Sequence, residues 1–190
     1  SEDINDYIEL NRKGELPVRM TVCLDYFYDK PFVTKAERED PFRAAQFGTF
    51  KIFSDGSLGS RSAKLFEPYD DDPTTDGILV ISQEDLNERM LKGYEMGLQP
   101  AIHCIGDKGL DVVLTAIEYT LEKSREHGMT QREQDDRLPF RIIHAQMANP
   151  ELIERMAKLP VVLDIQPSFF LTDLHWIKDR VGEKRANMSY

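Results

Sequence analysis

The chain has 190 residues, 41% hydrophobic and 31% charged, and carries a net charge of −10 with histidine neutral. That length suits one domain with a sizeable core. The acidic balance argues against nucleic-acid and anionic-membrane partners, whose phosphates require clustered Lys and Arg. No apolar stretch approaches the roughly twenty residues that span a bilayer. The opening SEDINDYIEL reads as a polar helix start and not as a signal peptide. Cys23 and Cys104 stand in no CxxC arrangement. A disulfide framework is therefore not expected, and a reducing, cytoplasmic setting is favoured.

In chain order, residues 3–13 form a polar helix and Pro17–Phe27 a strand that follows a Gly-Glu-Leu-Pro turn signal. Residues 34–46 read as a polar helical or irregular stretch. Strand GTFKIF follows and runs into the glycine-rich loop SDGSLGSRSA. The acidic segment Asp70–Gly77 reads as a solvated loop without calcium-loop spacing. A helix follows, with a Ser82–Asp85 capping box and Gly97 as its stop. LQPAIHCIG is then a strand, and 107–128 a helix with apolar residues at three- and four-residue spacing. FRIIHAQ is a strand. The next helix has Asn149 as N-cap and Pro150 in its first turn. PVVLDIQPSFF reads as the last strand, followed by a helix over Leu171–Val181.

This β-α-β-α-β-α alternation with short connections means a parallel sheet, either doubly wound or a (β/α)8 barrel. DGSLGSR does not fit the GxGxxG dinucleotide-binding spacing. In both architectures function collects at the C-terminal strand ends.

Alternation puts Thr49, Lys51 and Phe53 on one face of their strand and Phe50 and Ile52 on the other. Lys51 then points into the sheet's inner side, where a lone ammonium must be paired, neutralised or modified. By itself it reads as half of an ion pair. His103 and His144, each near the end of a strand, differ from a lone structural histidine in being matched. They sit one βα unit apart on strands that, if adjacent, lie about 4.8 Å from each other. Neutral imidazole is the commonest protein ligand for zinc. The pair therefore reads as half of a metal site. His127, at a helix end, and His175, beside Trp176 on the last helix, read as structural. No GxSxG or other nucleophile motif is present.

With these residues in hand, the sequence resembles the amidohydrolase superfamily, in its YtcJ-like, exoenzyme-regulatory-protein-like branch. The stretches that carry the resemblance are FKIFSDGSLGSRSAKL, QPAIHCIGDKGLDVVLTAIE, RIIHAQMANPELIERMAKLPVVLDIQPSF and DRVGEKRA. The resemblance implies a distorted (β/α)8 barrel with a metal centre at the C-terminal strand ends. It makes Lys51 the strand-four lysine that CO2 carboxylates to bridge two metals, and His103 and His144 the ligands ending strands five and six. The cofactor implied is one or two divalent ions, with zinc expected. The implied reaction is hydrolysis of non-peptide amide or cyclic amide C–N bonds by metal-activated water. Asp55, Arg61 and Gln166 become candidate contacts for a small amide substrate.

Two family features are missing: the His-x-His pair of strand one and the strand-eight aspartate that shuttles protons. A complete barrel needs roughly 250 residues. The expectation is therefore a single incomplete barrel domain over 1–190, an internal fragment with about strands three to seven. Alone it should be inactive and self-associating. The rival reading is a non-catalytic regulatory or binding module on the same barrel.

Overall fold

The computed structural model describes residues 2–25 and 45–189. Helix α1 (Glu2–Lys13) places Arg12 and Lys13 in its last turn, where they complement the helix dipole, and Gly14 at φ 71° ends it. Strand β1 (Met20–Asp25) begins three residues after the expected Pro17, because pairing starts at Met20 opposite Ala45. The expected residues Tyr26 and Phe27, and most of the 34–46 stretch, lie outside the described residues. Ala45 and Gln46, expected in that stretch, already belong to β2 (Ala45–Phe53). The register against β1 steps from Val22↔Phe47 to Cys23↔Thr49. Gly48 is thus the extra residue of a bulge.

The remaining elements are α2 (Gln83–Glu95), β3 (Gln99–Cys104), α3 (Asp107–Glu126), α4 (Gln131–Asp135), β4 (Phe140–His144), α5 (Pro150–Met156), β5 (Val161–Asp164), α6 (Ser168–Asp173) and α7 (Ile177–Ala186). Helix starts follow their caps: Ser82 accepts from the Asp85 N–H, and Asn149 from the Leu152 N–H with Pro150 behind it. The short α4 was not expected, although Thr130 and Glu133 form a reciprocal capping box there.

The last part of the chain corrects the sequence reading. β5 ends at Asp164, and SFF of the expected strand opens α6. Pro167 supplies no ladder donor and sits at φ −59°, already suited to helix entry. The single expected helix over 171–181 is two, separated by a turn that holds His175, and Gly182 at φ 72° kinks the second.

The five described strands are parallel and stand in the order β1-β2-β3-β4-β5. A doubly wound sheet reverses its strand order at a switch point. The sequential order here is that of a barrel arc, a partial α/β barrel. Phe50, Ile52, Ile102, Cys104, Phe140 and Ile142 face outward into a core closed by α2, α3 and α5. Tyr94 stacks on Phe140 at 5.0 Å, and Gly93 lets α2 approach the Phe50 ring. Neither cysteine is bonded; Cys23 is exposed and Cys104 buried. No described helix is long and apolar enough to cross a membrane.

A second core caps the C-terminal strand ends, where Leu58, Leu65 and Tyr69 pack with Ile105, Met147, Ile177 and Val181. The acidic segment is part of this cap and not a free solvated loop. Asp71 pairs with Arg61 and Arg180, Asp76 with Lys64, and Asp70 with the buried Arg185. The cap closes tightly on the β3–α3 turn: a Cβ on Gly106 would lie 2.0 Å from the Lys64 carbonyl oxygen. Gly106→Ala should therefore push the 55–64 loop off the turn and lower stability by about 1–3 kcal/mol. Urea denaturation checks this, and an unchanged midpoint would show that the loop is not held there.

Candidate metal centre

Lys51, His103 and His144 come from the consecutive strands β2, β3 and β4. Phe53 is in register with His103, and His103 with Ile143. His144 is in register with Cys104, which faces the helices and is fully buried. Regular alternation would thus send the His144 side chain toward the helices. The backbone prevents it: His144 and Ala145 stand at φ 79° and 46°, in the left-handed region that side chains avoid. The imidazole consequently meets His103, with ring centroids 4.6 Å apart and planes at 78°.

Each ring has one nitrogen engaged by an acceptor. The Nε2 of His103 lies 2.8 Å from the Gly56 carbonyl oxygen, so Nε2 carries the proton and Nδ1 the lone pair. The Nδ1 of His144 meets Oε1 of Gln166, whose Nε2 donates to the Asp164 carbonyl at 2.7 Å. That orientation makes Nδ1 the donor and leaves the lone pair on Nε2. Burial lowers the pKa of both imidazoles, and the positive charge of Lys51 adds to it. Both are therefore mainly neutral at neutral pH.

Burial also brings the Lys51 amine down to about 8. Its Nζ sits 3.8 Å from the Phe53 ring centroid and donates to the Ile52 carbonyl at 3.4 Å. Two neutral imidazoles with outer nitrogens tied to acceptors match the usual support of metal-binding histidines. The lysine adds an amine poised to lose its proton. These donors fit a divalent ion. Among the described residues, no three His, Cys, Asp or Glu side chains form a ligand group. Lys51 is the further donor that the described residues place beside the two imidazoles.

The other candidates divide. Gln166 belongs to the cluster, through His144. Asp55 lies beside it, 3.6 Å from the His103 ring, yet its buried carboxylate already accepts from the N–H groups of Lys64, Ile105 and Gly106 at 2.8–3.1 Å. Burial pushes its pKa up to about 6 against those three donors. The structure does not bring Arg61 to the pair; its guanidinium is bidentate to Asp71 at 2.9 and 3.0 Å. Sequence reasoning missed Gly56, Phe53 and Phe169. Gly56 acts through a carbonyl that every residue has, so no sequence signal marks it. Phe169 stacks on His144 at 5.7 Å, and Phe53 lies 5.2 Å from His103. Phe53 shares a strand face with Lys51, which was the available clue, whereas Phe169 follows β5 and no local signal ties it to His144.

The sequence matches the amidohydrolase family over residues 1–190, and the chain belongs to that family. It is 42% identical over 145 residues to YtcJ of Bacillus subtilis (strain 168), covering 76% of this chain and 25% of that one. It is 37% identical over 139 residues to LONG AFTER FAR-RED 3 of Arabidopsis thaliana, covering 73% and 22%. Two crystal structures of uncharacterized metal-dependent hydrolases superpose on the whole chain. The one from Pyrococcus furiosus has a TM-score of 0.79, 31% identity and 37% of its own length covered. The one from Pyrococcus horikoshii OT3 has a TM-score of 0.76, 32% identity and 36% covered. The chain thus spans about a quarter of the two sequence relatives and little more than a third of the solved structures.

Two measurements probe the site's backbone and its buried acid. Ala145→Gly should raise stability by up to about 1 kcal/mol in urea, since glycine accepts the positive φ without a Cβ clash. A loss of stability would show that no strain resides there. Asp55 has a folded pKa of about 6, above its ordinary 3.8, so the folded state holds its proton longer than the unfolded state. Its contribution is then greatest below pH 3.8 and is lost as pH rises through about 6. The stability of the native protein relative to Asp55→Asn should fall over that window, by about 1–3 kcal/mol. A flat difference would contradict the raised pKa.

Proposed function

We propose that these 190 residues are one segment of a longer metal-dependent amidohydrolase, carrying the third to seventh of eight barrel strands, and that the whole protein hydrolyses non-peptide amide or cyclic amide C–N bonds. The observation that carries this reading is the His103–His144 pair, drawn from neighbouring strand ends, with each outer nitrogen held by an acceptor. Family membership and the metal-dependent structural neighbours support it.

In this reading His103 through Nδ1 and His144 through Nε2 hold a divalent ion, and an imidazole donor set suits zinc. Such an ion, when bound, supplies Lewis acidity that polarises an amide carbonyl and acidifies water. Lys51 completes the set after carboxylation: the neutral amine attacks CO2, an N–C bond forms and one proton leaves, giving a carbamate anion. A pKa near 8 keeps a usable fraction of neutral amine at physiological pH. Gln166 holds the His144 tautomer and Gly56 that of His103, while Asp55 anchors the loop that presents Gly56.

The experiment is metal analysis with a hydrolysis screen on the intact protein and on the isolated 190-residue chain. The intact protein should hold metal and cleave an amide, and His103→Ala or His144→Ala should abolish both. Gln166→Ala should weaken metal binding by about 10–100-fold, the usual effect of removing a residue that orients a ligand. The isolated chain should be silent and bind metal weakly, because two imidazoles and an unmodified amine make a poor ligand set. Stoichiometric metal on a carboxylated Lys51 in the isolated chain would overturn that part. The isolated chain should also self-associate, since the outermost strand β5 leaves Val162 and Leu163 exposed. A monomeric mass in light scattering would contradict this.

A further inference from the structure

We propose that the cavity flanking His144 is the subsite for an uncharged apolar ring carried by the substrate, so that the preferred amides bear an aryl or similar ring substituent. This rests on the hydrolase reading above for its role in turnover, but the pocket's chemistry stands on its own residues. A cavity of about 360 Å³ opens between the C-terminal ends of β4 and β5, with His144 and Gln166 on one side and Ile165, Pro167, Phe169 and Phe170 around the rest. That volume suits a small ligand group. It adjoins the candidate metal centre directly through His144.

Three features define what fits. Among the described residues no charged side chain lines the cavity, so an ionised group would meet no counter-charge from them. Apart from the His144 Nε2 lone pair, assigned above to the metal, the polar side chains are engaged: Gln166 serves His144 and the Asp164 carbonyl, and Gln146 donates to Asp173 at 3.0 Å. What the cavity offers a ligand is therefore apolar contact. The surfaces are also planar. The Phe169 ring lies within 18° of parallel to His144, and Pro167 and Phe170 complete the lining. Planar walls favour a ring over a branched chain, because offset stacking adds to area burial.

The probes separate a ring on the acyl side of the scissile bond from one on the nitrogen side. Fluorine NMR titration of the intact protein would use 4-fluorobenzamide (ring on the acyl side), N-(4-fluorobenzyl)acetamide (ring on nitrogen) and ringless trifluoroacetamide. At least one ring-bearing amide should bind about tenfold more tightly than trifluoroacetamide. Ile165→Lys and Phe170→Ala, each checked for folding by circular dichroism, should weaken that binding by about tenfold. Ring-bearing amides that bind no more tightly than the ringless one would overturn the proposal. So would undiminished binding in both folded variants. Ring binding without any amide cleavage would support the subsite while removing the hydrolase reading. Cleavage without ring preference in binding would do the reverse.

Discussion

The site depends first on the Asp55 carboxylate. It is 2% exposed and takes three backbone N–H groups, one from Lys64 in its own loop and two from Ile105 and Gly106 at the end of β3. A buried carboxylate left unpaired would be costly, whereas three donors make it a strong crosslink. The crosslink fixes the loop that begins where β2 ends, and that loop presents the Gly56 carbonyl to His103. Ser54 adds a second tie, donating from its hydroxyl to the His103 carbonyl at 2.7 Å. The imidazole is thus oriented from both its ring and its backbone.

His144 is oriented by a different device. Its strand parity is wrong for an inward side chain, and two successive left-handed residues correct it. Backbone pairing to β3 continues through them, the Ala145 N–H donating to the Cys104 carbonyl and, beyond, the Met147 N–H to the Ile105 carbonyl. The irregularity is therefore held by regular pairing on both sides, which is how strained backbone persists at sites. Gln166, reaching across from the end of β5, then sets which ring nitrogen is free.

At the same strand ends the second core packs against the β3–α3 turn. Arg185 is buried and spends its guanidinium on the Glu67 and Pro68 carbonyls and on Asp70. Gly182 makes the fit possible, since a Cβ there would sit 2.5 Å from the Asp70 carboxylate. Asp71 lies between Arg61 and Arg180, so the acidic segment is neutralised where it crosses the strand ends. Function at this end is framed by ion pairs on one side and by the apolar rings after β5 on the other.

Much of this could be read from local sequence. The strand–helix alternation, the Ser82 and Asn149 caps, the outward Phe50, Ile52 and Ile102, and the placing of His103 and His144 at consecutive strand ends all follow from short-range periodicity and turn chemistry. The end of β5 was misread because Ile165–Phe170 is as apolar as a strand, and apolarity does not separate a strand from a short helix opened by proline. Tertiary structure alone decided the rest. Whether a sheet is doubly wound or barrel-like depends on strand order, which no local pattern encodes. Asp55 and Arg61 looked like pocket residues because a polar loop beside a strand end reads alike whether it faces substrate or its own backbone. The inward turn of His144 depends on a positive φ at two residues that are not glycine, stabilised by partners far along the chain. Periodicity records which face a regular strand presents; it cannot record where neighbouring strands force that regularity to break.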